Sequence, residues 1–446
     1  MPDTDAQHRS LYSVDLERHR ENVMAIPRVR VSVLSLLLAI SLFSSFETFA
    51  QDTNSSPSEE LCSRGPLGLP THTYSKKFMW ENDAGITDKD YTNGMRWERF
   101  LYPECDQIFG GMGDWISGLH DRIPSRVFQS DADAKLVSIT ESSLGYAFGM
   151  NMYTPERISN PVPPLDDRPF TGWAYVSLMS SLRTTEEVPG TAPIAEGIRI
   201  QMPGRIRRPK SESRLELMVG ALGDWAQQDR IQKEWHRWFS FEKPMGWGTQ
   251  QEGTLGVNLV YDHDSYIYKS WLSDRARLSY GYGVSVGNVR TEARARIGLS
   301  ISSSAASWEF LNTSLISPSD AQFFSASQNL GIGTEFDTAD MTRDDPAQQR
   351  ERQRRNFESS QFLTVSARIE PRYKAYDFFL DENPRHGTST FDINRFVYDT
   401  VISIDFKLPG RRWVGAYREV QRSREIDRVD NSNHRFRQLM MIYYFN

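Results

Sequence analysis

Apolar residues recur at every second position through run after run of this chain, and few folds accept that period. In "RARLSYGYGVSV", Ala276, Leu278, Tyr280, Tyr282, Val284 and Val286 share one face, while Arg277, Ser279, Gly281, Gly283 and Ser285 share the other. "EARARIGLSIS" (292–302) and "FLTVSARIE" (362–370) repeat the pattern, setting Ile297, Leu299 and Ile301, then Leu363, Val365 and Ile369, against arginines, glutamates and serines. A period of two is that of an extended strand. An aromatic-bearing apolar face backed by charges and small polar residues fits a transmembrane barrel strand, lipid on one side and a polar lumen on the other. A soluble sandwich alternates in the same way. Strand lengths near ten residues, an export signal, and an ending "QLMMIYYFN" that alternates almost to Phe445 favour the barrel.

Extended runs fall at about 74–83, 92–102, 138–149, 171–183, 213–222, 253–262, 276–287, 290–301, 362–380, 396–407, 412–421 and 434–445, twelve in all. An even number suits a closed bacterial barrel, and "AEGIRIQM" at 195–202 is a possible additional strand. The fold expected is therefore all-β, a transmembrane antiparallel β-barrel of about twelve strands. Two long connections, 103–137 and 302–361, sit awkwardly with short periplasmic turns. The second holds a charged tract, "RDDPAQQRERQRRNFESSQ", that reads as a solvated loop.

Residues 1–50 read as a secretory signal: Arg28 and Arg30 precede an apolar run from Val31 to Phe43, and "TFA" ends at Ala50, with Met24 an alternative initiator. The barrel domain then spans 51–446. Its two cysteines, Cys62 and Cys105, are either one disulfide or two structural thiols. The formal net charge is −6 with acids and bases interspersed, so no basic stripe points to nucleic acid.

One segment breaks the strand period. In "GDWAQQDRIQKEWHRWF", Ile231, Trp235 and Trp238 recur at helical spacing, which predicts a short amphipathic helix over 223–239 with Gln232 and His236 one turn apart. Of eight histidines, His236 alone reads as helical with such a partner, although an isolated helical histidine is more often a surface or capping residue. If the first strand rises outward, so does the fifth, and this helix shares an extracellular rim with the loop after "WEND" (80–83). That loop is rich in oxygen ligands: Asn82, Asp83, Asp88, Thr92 and Asn93 suit a hard cation such as Ca²⁺. From the residues alone, an Asx-rich turn satisfying its own backbone is the simpler reading.

"WENDAGITDKDYTNG", "AFGMNMYTPE", "DRPFTGWAYVSL", "GALGDWAQQDRIQKEWHRWF" and the Gly246-Trp247 pair occur here in the order seen in the LpxR-like outer-membrane lipid A 3′-O-deacylases, which the chain resembles over most of 75–300. The C-terminal third matches more loosely, through "AYDFFLD" at 375–381. The resemblance implies a twelve-stranded barrel with a calcium-dependent esterase site at its outer rim. It places Asn82, Asp83, Gln232 and His236 in the active site, His236 activating water and Ca²⁺ polarising the ester carbonyl; Asn82, Asp83, Thr92 and Asn93 are the candidate metal donors. The chain departs from the family in Gly223-Asp224, where the family has Gly followed by Pro or Ala, in a shorter loop after Trp247, and in Asn446 beyond the terminal aromatic. The expected protein is a monomeric outer-membrane hydrolase acting on lipid A of lipopolysaccharide. The rivals are a non-catalytic pore or scaffold, and a phospholipase built on His263 and Ser265.

Overall fold

Each of the twelve alternating runs becomes one strand of a single closed barrel. The computed structural model describes residues 75–83, 90–101, 109–123, 138–195, 198–269, 275–304, 307–315, 323–326, 358–427 and 433–444. The export signal, Cys62, Cys105, Asp88 and most of the charged tract lie outside these. The strands are β1 (Ser75–Asn82), β2 (Asp90–Phe100), β3 (Ser138–Thr154), β4 (Thr171–Ala195), β5 (Ile198–Leu222), β6 (Thr254–Lys269), β7 (Ala276–Gly287) and β8 (Arg290–Ser302). A small hairpin of β9 (Leu311–Leu315) and β10 (Phe323–Ala326) stands apart as its own sheet. The barrel resumes with β11 (Phe362–Asp377), β12 (Phe396–Lys407), β13 (Trp413–Arg422) and β14 (His434–Tyr444). Neighbours pair antiparallel throughout, and β1 closes on β14, from Ser75↔Tyr444 to Asn82↔Arg437.

Three expectations need correcting. The segment 195–202 is not an additional strand: Ala195 pairs with Ile198 across the tip of a long β4–β5 hairpin. The run 362–380 stops at Asp377, whose carboxylate accepts a hydrogen bond from the Phe379 N–H and so caps a one-turn helix, Phe378–Asp381. The connection 103–137 holds a helix, α1 (Gly111–Arg122), which makes His120 a second helical histidine.

Alternation sorts the wall into two faces. Outward, β8 exposes Ile297, Leu299 and Ile301, β11 exposes Leu363, Val365 and Ile369, and β12 exposes Ile402 and Ile404. An apolar belt running across so many strands is what a bilayer's hydrocarbon requires and what water opposes. No helix among the described residues is long and apolar enough to cross a membrane. Inward, buried charges pair: Arg96 with Glu216 at 2.7 Å, Arg214 with Glu98 at 2.9 Å, Arg294 with Asp262 at 2.7 Å, Arg372 with Asp399 at 2.6 Å. Each pair must stay whole, because removing one partner strands the other charge away from water at a cost of about 3–5 kcal/mol.

Aromatic side chains pack near both ends of the barrel. At the end where β1 begins and β14 finishes, Trp308 is buried under Arg277, whose guanidinium lies 4.4 Å from its ring, and its carbonyl accepts from Arg183. At the opposite end, where β1 leads into the Asn82-Asp83 loop, Phe379 stacks on Tyr153 with centroids 4.3 Å apart, inside a cluster with Tyr91, Trp173 and Phe436. "AYDFFLD" is thus a plug at what we call the motif end.

Candidate active site

The chain turns sharply after β5 and builds a twelve-residue helix, α2 (Gln228–Phe239). The helix stops because Ser240 adopts the left-handed conformation, φ 56°, and the Phe241 N–H reverses to bond the His236 carbonyl at 2.9 Å. That closure reverses the chain in the Schellman manner. The same reversal brings the Glu242 carbonyl onto the His236 ring at Nδ1. A carbonyl only accepts, so Nδ1 carries the proton and Nε2 carries the lone pair. Nε2 has no hydrogen-bond partner among the described residues, and Phe241 packs edge-on against the ring at 5.6 Å. The helix end therefore fixes the tautomer a general base needs.

Gln232 lies one turn earlier on the same buried face. Its Oε1 accepts from the Trp247 indole N–H at 2.6 Å. Because an indole nitrogen only donates, this bond also orients the amide, leaving the Nε2 donor buried with no protein partner among the described residues. Trp247 is itself held by Met152, Ile158 and Phe170. Gln228, a further turn back, packs over Gly172, where any Cβ would collide with its side chain.

Asn82 and Asp83 end β1. The Asn82 side-chain amide donates to the Thr92 carbonyl at 3.1 Å, and the Asp83 N–H to the same carbonyl at 3.3 Å. Asp83 is fully buried, continuing the inward series of Lys77, Met79 and Glu81. Asn82 takes the alternate, outward direction. A register shift between Tyr91 and Asn93 marks a bulge, a local device that re-aims side chains. There the Thr92 hydroxyl meets that of Thr154 at 2.5 Å. Asn93 pairs with Asn82, and its buried Oδ1 has no hydrogen-bond partner among the described residues.

Strand register connects the two halves. Asn82, Asn93, Met152 and Gly172 form one row across β1 to β4. Trp247 packs on Met152, and Gln228 on Gly172. α2 accordingly lies against the barrel wall at the motif end, with Gln232 and His236 on its buried side and the two asparagines along the same row. Neighbouring strands are roughly 4.8 Å apart, so the row spans roughly 14 Å.

As metal donors the predicted residues are unequal. Among the described residues no three His, Cys, Asp or Glu converge. The donors on offer are one carboxylate, Asp83, and the neutral oxygens of Asn82 and Asn93, while the Thr92 hydroxyl is engaged with Thr154. Hard oxygens suit Ca²⁺, but Asp83 points inward while Asn82 and Asn93 lie on the outward row, so the two asparagine oxygens and not the carboxylate can share one ion there, at modest affinity because no ligand charge is present. The Asn93 oxygen is the observation in favour.

His263 and Ser265 do meet, at 3.1 Å, but both are buried on the outward face of β6, and the intervening Asp264 points into the lumen to Arg296 at 2.6 Å. Among the described residues, no acid completes that pair. Sequence reasoning overlooked the Glu242 carbonyl, which needs the helix end to reach His236. It also overlooked Gln228, whose spacing of four from Gln232 was the available signal.

The family profile described as outer membrane protein LpxR matches residues 34–192 and 193–445. No curated protein matches. Among solved structures, LpxR from Salmonella typhimurium superposes with a TM-score of 0.52 at 13% identity, covering 83% of this chain and 100% of that one. The beta domain of the Bordetella autotransporter BrkA gives a TM-score of 0.30 at 8% identity, over 84% of this chain and 99% of that one. With a barrel of this design and the profile matched along nearly its whole length, the chain belongs to the LpxR family of outer membrane proteins.

Proposed function

We propose that this outer-membrane barrel is a lipid A esterase that removes the 3′-linked acyloxyacyl chain of lipopolysaccharide by water attack. The observation carrying this reading is the buried helix face where His236 keeps Nε2 open and Gln232 keeps an amide donor open. In the mechanism, His236 Nε2 takes a proton from water as that water attacks the ester carbonyl, and the imidazolium returns it to the leaving alkoxide. Gln232 Nε2 donates to the carbonyl oxygen as negative charge develops there. Trp247 holds the amide in the donating orientation. Asn82 and Asn93, neighbours on the outward row, would hold Ca²⁺, which when bound would supply positive charge beside the ester carbonyl. The motif end faces outward, and the apolar belt keeps the acyl chains in lipid next to the site.

Mass spectrometry of lipid A from cells with and without the protein tests the reading. Loss of the mass of one 3′ acyloxyacyl group is expected; lipid A unchanged by expression of the folded barrel ends it. Turnover that survives excess chelator removes calcium from the mechanism and leaves His236 acting alone.

A further inference from the structure

The outward edge of α2 runs against the usual rule for a surface helix. Its buried face is polar, made of Gln228, Gln232 and His236, while Trp238 is 69% exposed, Ile231 38% exposed and the preceding Trp225 59% exposed. At about 100° per residue, Ile231, Trp235 and Trp238 occupy an arc of roughly 60°. Arg230, Lys233 and Arg237 occupy a separate arc of similar width on the side away from Gln228, where Lys233 pairs with Asp229 at 3.2 Å and Arg237 with Glu234 across exposed helix turns. Two rings and an isoleucine left open beside exposed ion pairs, whose weak hold lets the cations exchange partners with headgroup phosphates, make a poor surface in water and a suitable one at a lipid headgroup boundary.

We infer that this edge of α2 docks into the outer leaflet: Trp225, Ile231 and Trp238 enter the upper acyl region, and Arg230, Lys233 and Arg237 meet anionic headgroups. Continuity with the barrel's lipid belt identifies lipid as the occupant. The Trp225 ring rests on Gly253, where a Cβ would collide with it. Gly253 immediately precedes β6, whose exposed Leu255 and Val257 begin the belt on that strand. From Trp225 the apolar surface therefore passes onto β6 at Gly253 and down the wall. Long basic side chains lay their stems along such a surface and keep their charges at the phosphates. Aromatic rings concentrate at the same depth on membrane proteins generally. The inference rests on the barrel's placement in the outer membrane and not on any catalytic assignment. Its consequence for the site is positional: a helix seated on this edge holds Gln232 and His236 toward the barrel wall, at the depth where the acyl esters of outer-leaflet lipids lie.

The test uses the full chain in vesicles of phosphatidylcholine and phosphatidylglycerol, with heat-modifiable migration as proof of folding. Nitroxide labels are placed one at a time at Ile231→Cys, Trp238→Cys and Lys233→Cys, with Cys62 and Cys105 replaced by serine. Labels at 231 and 238 should collide more with dissolved oxygen than with a water-soluble nickel chelate, and the label at 233 should show the reverse. Equal nickel exposure at all three positions overturns the inference by placing the edge in water. Shielding of 231 and 238 from both reagents overturns it by showing a protein cover, such as a second copy. An independent check needs no label: brominated lipids should quench more of the tryptophan emission in wild type than in Trp225→Phe/Trp238→Phe, and equal fractional quenching counts against lipid docking.

Discussion

Two helices of twelve residues lie on the outside of this barrel, and each buries a histidine. Against the outward faces of β4 and β5, α1 places His120 between Ser180 at 3.0 Å and Ser213 at 2.9 Å, one hydroxyl on each ring nitrogen. At the motif end, α2 commits only His236 Nδ1, to a carbonyl, and leaves Nε2 open. Burial and helical position are alike; hydrogen-bond saturation differs. A histidine with both nitrogens engaged ties a helix to a wall, whereas one with a fixed tautomer and an open lone pair is equipped to move a proton.

The comparison is most directly broken by exchanging the two phenotypes. His236→Gln should lower kcat for lipid A deacylation by about a hundredfold or more while the barrel stays heat-modifiable. His120→Gln should leave kcat within about twofold, since surface docking of α1 is remote from the row of Asn82 and Gly172. If His120→Gln abolishes turnover in a folded barrel, or His236→Gln does not reduce it, saturation is the wrong criterion. A smaller loss, roughly tenfold to a hundredfold, is expected for Gln232→Leu, which removes the orphan donor while keeping volume. It should fall on kcat with little change in KM, because the donor strengthens its bond as charge develops. A rise in KM alone would make Gln232 a substrate-holding group instead.

The same contrast explains what could be read from the chain. Barrel strands carry a local signal, since lipid on one side and a packed lumen on the other impose alternation on each strand separately, as in 276–287 and 290–301. α1 carries a short helical one, with Phe109, Ile116, Leu119 and Ile123 recurring at 3–4 spacing over a single cluster. Its buried face is Gly113, Ile116 and His120, with one large apolar residue among them, while Met112 and Trp115 face outward. The apolar spacing in α2 reveals a helix and misleads about its orientation, because the rule that an apolar stripe faces the core assumes water on the other side. Asn82 and His236 are separated by more than a hundred and fifty residues. Only register, through Asn93, Met152 and Gly172, brings their neighbourhoods onto one row.

Burial of His120 also predicts a pH response. Burial, reinforced by nearby His263, pushes the His120 imidazole down from its ordinary 6.5 to about 4. The group is neutral when docked and binds its proton more readily when released. Its contribution to stability is therefore complete above about pH 6.5 and is lost as pH falls toward 4, reaching about 2 kcal/mol of weakening at pH 5. Hydrogen exchange across 111–122 should accelerate over that window in wild type. In His120→Gln the acceleration should flatten. If α1 opens equally in both proteins, the docking histidine is not the cause.

The smallest expected effect concerns the residue that stops α2. Ser240 carries a side chain at φ 56°, a conformation glycine adopts without the steric penalty of a Cβ, and no side-chain hydrogen bond of Ser240 among the described residues offsets that penalty. Ser240→Gly should relieve the strain and raise stability by at most about 1 kcal/mol, with part of the gain offset by the greater freedom of glycine in the unfolded chain. The Phe241 N–H would still close on the His236 carbonyl and the Glu242 carbonyl would still meet Nδ1, so the pH dependence of turnover should not move. Ser240→Val is the opposing test, because a β-branched residue is strongly disfavoured in that conformation. There the helix end should loosen, Glu242 should lose its hold on Nδ1, and kcat should fall although the substituted side chain touches no reacting group. A valine variant with unchanged kcat would show that the tautomer of His236 is held by something other than the helix end.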